Sequence, residues 1–332
     1  MEVELYMKKN IEALVARPCL SPYFTSRSIK GHVPEFRKLR EAHEYRGQVH
    51  VQVPGCDPIT MYSDNDDNVA LTYFYFGEGA YESLSVILFG LLARQARDVL
   101  DVGAHSGLFS LVAAAANPVT QVHYFELMPL VAERAEVNFA ISGFDRRVHI
   151  NNIGVSNVVG TMTAYYNEDQ PLWTGASLEN VHYAKRLGGM VQRELGVTTL
   201  DTYWMEQGRP QFRLMKIDVE NHELAVFEGG TEMLETCKPF LICEVLSKKQ
   251  FADFVDVLSG FGYEGIYVID DDALMIREVD RDLAYKTGEP YEFQTYHNVL
   301  FSANKLHQLF FNDLRRVLAI SRLGFSQSPI KA

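Results

Sequence analysis

The stretch that most constrains this chain runs from Asp98 to Ala116 and reads DVLDVGAHSGLFSLVAAAA. Val99 to Val102 is a short apolar run with β-branched residues, the mark of a buried parallel strand. Gly103 and Gly107 bracket a tight turn, and the alanine-rich run Leu108 to Ala116 favours helix. Strand, glycine turn and helix in that order make a nucleotide-type binding corner. Two ligand classes drop out at once. A dinucleotide fingerprint needs G-x-G-x-x-G, and His105 and Phe109 stand where its second and third glycines would fall. A phosphate-cradling loop needs Gly-Lys-Ser/Thr, which this turn lacks.

A chain of 332 residues with 47% hydrophobic and 12% aromatic content has ample material for a buried core. Its net charge of −12 argues against DNA or RNA as the main partner, because phosphate binding needs a basic surface. The four cysteines, Cys19, Cys56, Cys237 and Cys243, form no C-x-x-C pair and read as reduced thiols. The opening MEVELYMKKN has no signal pattern, and the longest apolar run, Leu84 to Ala93, is too short to span a bilayer. The expectation is a soluble, cytoplasmic protein with no membrane partner.

Residues 1–97 read as an N-terminal extension, 98–302 as the ligand-binding core and 303–332 as a C-terminal helix. In the extension, a helix is expected up to Ala16, an exposed helix over Arg37 to Glu44 and a strand over Val49 to Val53. Ser63 to Asn68, SDNDDN, lacks EF-hand spacing and reads as a solvated turn. Leu71 to Phe76 reads as an aromatic-rich strand, and Tyr81 and Glu82 open a helix over Leu84 to Arg94. From Asp98 the chain alternates strand and helix, which implies a mainly parallel sheet with helices on both faces. The expected strands are Gln121 to Phe125, His149 to Val155, Gly160 to Tyr166, Arg213 to Asp218, Phe240 to Val245, Tyr263 to Ile269 and Asn298 to Phe301. Thr199-Leu200-Asp201 starts one helix, Gln250 to Phe261 has helical spacing, and Leu306 to Leu323 is an amphipathic helix outside the core. Asn167 to Gly189 is a long polar loop of the kind that carries function.

With the phosphate readings excluded, Asp-x-Gly-x-x-x-Gly resembles motif I of the class I S-adenosylmethionine (SAM) methyltransferases. SAM carries an ammonium and a sulfonium but no phosphate, so the strand carboxylate Asp101 beside bare backbone at Gly103 suits it. Glu126 ends the second strand about twenty residues on, where nucleoside-binding folds place an acid for the ribose hydroxyls. Leu127 then lies against adenine, and Asn152 and Ile153 complete the strand-end rim. Ala104, His105, Ser106 and Gly107 supply the rest of the turn.

Further on, LMKIDVENHELAVFEGG, Leu214 to Gly230, crowds Lys216, Asp218, Glu220, His222 and Glu223 just past a strand end. So many ionisable groups are costly unless paired or used. This stretch resembles the FkbM family of SAM-dependent O-methyltransferases, whose signature is close to K-[IV]-D-V-E-G-x-E. The departure is Asn221 in place of glycine, and asparagine also tolerates a left-handed backbone. TTLD before this strand, Glu244 ending the next and Tyr81-Glu82 ahead of motif I extend the likeness over about residues 75–302.

The resemblance implies a class I methyltransferase sandwich with one antiparallel edge strand, and methyl transfer from SAM to a small-molecule hydroxyl. The acceptor class it implies is a sugar unit or a polyketide-type natural product. A neutral alcohol needs its proton removed as it attacks, and His222 has the right intrinsic pKa for a base, with Asp218 or Glu220 to orient it. His105 is a second candidate. Trp173, Ser177, Lys216 and Glu244 are expected to face the acceptor, with the TGAS segment, Thr174 to Ser177, closing over the site. A metal-assisted transferase would use Asp218, Glu220 and Glu244, although no metal site is expected. A nucleic-acid amine methyltransferase would carry Asn/Asp-Pro-Pro-aromatic where this chain has DVEN. A degenerate scaffold that binds without catalysis would not keep Asp101, Glu126 and Asp218 together. The sequence is compatible with a homo-oligomer.

Overall fold

The computed structural model describes residues 7–14, 33–167, 172, 176–178, 190–284 and 297–320. Its strands are β1 (Arg46–Val51), β2 (Ile59–Asp64), β3 (Asp98–Val102), β4 (Gln121–Phe125), β5 (Val148–Asn151), β6 (Gly154–Val155) and β7 (Gly160–Asn167), followed by β8 (Met190–Thr198), β9 (Phe212–Ile217), β10 (Phe240–Val245), β11 (Gly265–Asp270), β12 (Met275–Glu278) and β13 (His297–Ser302). Eight of them form one sheet in the order β12-β11-β13-β10-β9-β3-β4-β5. The pairs β10·β9, β9·β3, β3·β4 and β4·β5 are parallel, as expected of strands joined by helical crossovers. An antiparallel edge strand is present, β12 on β11. A second antiparallel strand, β13, lies inside the sheet between β10 and β11 and not on an edge.

Two apolar layers cover the sheet. One holds the helices Asn68–Phe76, Ser83–Ala93, Leu108–Ala116 and Pro129–Ser142, and the other holds Leu200–Glu206, Glu223–Glu228, Thr231–Cys237 and Lys248–Gly260. Val99, Leu214, Ile242 and Leu300 feed the first layer, while Leu100, Met215, Leu241 and Phe301 feed the second. That alternation is the period of two that parallel strands buried on both faces must show.

Several sequence expectations are corrected. Leu71 to Phe76 is not a strand but part of the helix Asn68–Phe76, buried from Val69 to Tyr75. A short aromatic run has no periodicity that separates strand from helix. The cap decides it, because Asp67 Oδ1 accepts from the amides of Val69, 2.9 Å, and Ala70, 3.1 Å. SDNDDN is therefore not simply solvated: Asp67 is fully buried, and Asp66 makes a bidentate pair with Arg134 at 2.7 and 2.9 Å. The expected strand His149 to Val155 divides at Asn152, and β6 leaves to join β8 and β7 in a separate three-stranded sheet. The C-terminal helix, Gln308–Ile320, buries Phe311, Leu314, Val317 and Leu318 into the first apolar layer and so belongs to the core. Among the described residues no helix is long and apolar enough to cross a membrane.

Candidate active site

The parallel strands end on one edge of the sheet, and the backbone there is pulled tight. Gly103 and Ala104 both donate to the Phe125 carbonyl at 3.0 Å, and Asp218 N donates to Val102 O at 2.9 Å. The turn after β3 is thus pinned to β4 on one side and to β9 on the other. Gly103 has φ +74°, and a Cβ there would sit 1.9 Å from the Asp218 carbonyl oxygen, so only glycine fits. Gly107, at φ +89°, meets the Phe139 ring in the same way at 2.7 Å. Between them His105 is left-handed, φ 49°, and Asn138 Nδ2 donates to the Ser106 carbonyl at 2.8 Å.

Glu126 locks this turn. One carboxylate oxygen accepts from His105 N at 3.0 Å and the other from Met128 N at 2.8 Å. Burial pushes its carboxyl above the usual range, and those amides oppose the shift. Asn152 Nδ2 donates to the Glu126 carbonyl at 2.8 Å, which brings the strand-end pair Asn152 and Ile153 alongside Glu126 and Leu127. Asp101 lies lower than its motif suggests. It is 1% exposed, opposite Lys216 in register, and Ser110 Oγ donates to its Oδ2 at 2.7 Å. Burial pushes its carboxyl up to about 6.

Beside the turn, Glu82, Asp218 and Glu244 each bring a carboxylate oxygen within 4.8 Å of the other two, a spacing that suits a metal ion. Glu220, named with Asp218 and Glu244 from the sequence, is not in this group; Glu82 is. Lys216 sits among them, 1% exposed, donating to Asp218 Oδ2 at 3.0 Å and to Asn298 Oδ1 at 3.1 Å. Burial opposes its charge, but Asp218, Glu82 and Glu244 outweigh that and hold the ammonium firmly protonated. Asn298 escaped sequence reasoning. It belongs to no motif, and only the register of β13, which sets it opposite Glu244, brings it here.

Other candidates lie in the turn after β9 and ahead of the helix Ser83–Ala93. His222 precedes the helix Glu223–Glu228, is 3% exposed, and has its Nε2 2.9 Å from Ser156 Oγ. Glu220 and Asn221 are both left-handed, φ 53° and 75°, so Asn221 takes the conformation that glycine adopts most readily. Ser177 Oγ donates to the Glu220 carbonyl at 3.0 Å, docking that segment on the turn after β9. Tyr81 accepts at its carbonyl from Tyr73 OH at 3.4 Å. Trp173 and Thr174 lie outside the described residues, as does most of the expected closing loop.

Glu223 closes the turn from beneath, accepting from Val219 N at 3.2 Å and from Gln250 Nε2 at 2.8 Å. Burial pushes its carboxyl from 4.5 to about 7. A carboxyl whose native pKa is raised holds its proton more tightly when folded. Its contribution is fully present below about 4.5 and is lost as pH rises through about 7. Glu223→Gln removes that titration. Urea unfolding at about pH 5 and about pH 8 is therefore expected to show the wild type losing more stability with rising pH than the variant. Parallel profiles would contradict the assignment.

The fit to SAM rests on the donor set. Bare backbone at Gly103 admits a close ligand, an acidic side chain ends β4, and the carboxylate row suits a cation. The methyltransferase FkbM domain matches residues 101–265 of the chain. Over 66 residues the chain is 41% identical to a tRNA1(Val) (adenine(37)-N6)-methyltransferase of Aliivibrio salmonicida, which covers 19% of this chain and 28% of that protein. Among solved structures, a methyltransferase FkbM from Methylobacillus flagellatus is similar at 13% identity and TM-score 0.39, covering 62% of this chain and 43% of that one. A precorrin-6y C5,15-methyltransferase from Geobacter metallireducens is similar at 11% identity and TM-score 0.36, covering 67% and 87%. At these TM-scores neither structure adds to what the sheet order already shows. The chain thus carries a methyltransferase FkbM domain over residues 101–265, and it spans less than a third of the curated relative's length.

Proposed function

We propose that this protein methylates a hydroxyl of a small molecule, a sugar unit or a polyketide-type product, with Asp218 receiving the proton. The observation that carries this reading is the carboxylate row Glu82, Asp218 and Glu244 beside the Gly103 turn, at the ligand edge of the sheet. SAM, when bound, supplies an activated methyl group. The chain's own work is to hold the ribose at Glu126, to flank the adenine with Leu127 and Ile153, and to exclude water. It must also align an oxygen and take its proton as the bond forms. A hydroxyl can donate to Asp218 and cannot displace Lys216, which stays buried behind it. The net charge of −12 and DVEN in place of Asn/Asp-Pro-Pro-aromatic support a small acceptor over a nucleic acid.

Asp218 is preferred to His222 as the base because His222 is 97% buried and engaged with Ser156. Labelled SAM incubated with an extract of the source organism, followed by identification of the labelled product, finds the acceptor. With that product as readout, Asp218→Asn is expected to lose on the order of 10²–10⁴-fold in turnover, and His222→Ala much less. The reverse order would return the role to His222.

The spacing of Glu82, Asp218 and Glu244 supports a second reading, in which a divalent cation helps to hold the acceptor oxygen. On that reading EDTA abolishes labelling and Mg²⁺ restores it. Full labelling in EDTA removes the metal.

A further inference from the structure

Glu82 is a residue under constraint. It ends the approach to the helix Ser83–Ala93 with φ 41° and ψ 49°, a left-handed backbone that a non-glycine residue adopts only when its surroundings demand it. Its side chain makes no cap to its own helix. Asp271, from beyond β11, does that work instead, accepting from Ser85 N and from Ser85 Oγ, both at 2.8 Å. The Glu82 carboxylate is turned toward the strand ends, where Asp218 and Glu244 lie.

Asn298 holds it there. The side chain is 3% exposed, and its Nδ2 donates to Glu82 Oε2 at 2.9 Å and to Ser85 Oγ at 3.0 Å, while its Oδ1 accepts from Lys216 Nζ at 3.1 Å. The chemistry fixes the amide orientation: an ammonium only donates, so it faces the oxygen, and a carboxylate only accepts, so it faces the nitrogen. A carboxylate at 298 would oppose Glu82, and an apolar side chain would leave both neighbours short of a partner.

We propose that Asn298 is a positioning residue for methyl transfer, acting through Glu82 to fix the negative end of the site beside the reacting methyl group. This rests on the reading that SAM binds at the Gly103 turn with its sulfonium toward Asp218. A positioned carboxylate field favours the sulfonium of SAM over the neutral thioether of S-adenosylhomocysteine, so the ratio of the two affinities reports on it. A role confined to packing would weaken both ligands alike.

Calorimetric titration of SAM and of S-adenosylhomocysteine on wild type, Asn298→Leu, Glu82→Gln and the double variant tests this, with cooperative melting as the fold control. Wild type is expected to prefer SAM. Each single variant is expected to lose about 3–10-fold of that preference, with S-adenosylhomocysteine affinity nearly unchanged. The double variant is expected to lose no more than Glu82→Gln, because Asn298 works through that carboxylate. Asn298→Ser, with the same expected direction, replaces the leucine variant if the latter does not fold. Full preference in the folded Asn298 variant, losses that multiply in the double variant, or a wild type indifferent between the ligands would overturn the role of Asn298. A wild type that binds neither ligand would instead overturn the reading of the site.

Discussion

The structure turns on one buried ammonium. Lys216 stands on the central strand β9 with almost no exposure, and taking such a charge out of water costs several kcal/mol, on the order of the whole stability of a domain. The cost is offset locally. Asp218 and Asn298 accept from it, the Phe109 ring lies 5.2 Å away, and Glu82 and Glu244 add their fields. Each partner arrives from a different element, so satisfying one lysine draws β9, β10, β13 and the helix Ser83–Ala93 to a common point. The same requirement leaves an excess of carboxylates at the sheet edge, which suits a methyl donor that is a cation.

The tight turns follow from that convergence. Gly103 is needed because the β9 backbone presses against it, and the Asp218 amide that closes the contact belongs to the residue that Lys216 holds. Opposite it, Glu126 spends both oxygens on backbone amides of the cofactor turn and the following helix, so the loop is rigid before any ligand arrives. Glu223 ties the turn after β9 to the helix Lys248–Gly260, and His222 ties it to Ser156 just past β6.

Much of this was legible in the sequence, because local rules set it. The glycine turn, the acid at the end of β4 and the left-handed Asn221 each follow from backbone geometry or strand spacing. The helix Asn68–Phe76 was not legible, since its apolar run carries no period and its cap lies in a stretch that reads as solvated. Nor was Asn298, whose neighbours Glu82 and Lys216 are 216 and 82 residues away in sequence. Only the antiparallel pairing of β13 with β10 sets it opposite Glu244, and a strand read from its own sequence does not reveal its neighbour. His222 shows the converse: its neighbours in sequence suggested chemistry, while the fold turned it toward Ser156.

On the proposed function, the cofactor product lies at the edge formed by the turns after β3, β4 and β9, with its sulfur beside Asp218. A crystal structure with S-adenosylhomocysteine tests it most directly. Expected are ribose hydroxyls on Glu126, the homocysteine chain over Gly103, and the sulfur facing the row of Glu82, Asp218 and Glu244. Ribose density away from Glu126, or a sulfur directed toward His222 and Ser156, would contradict it.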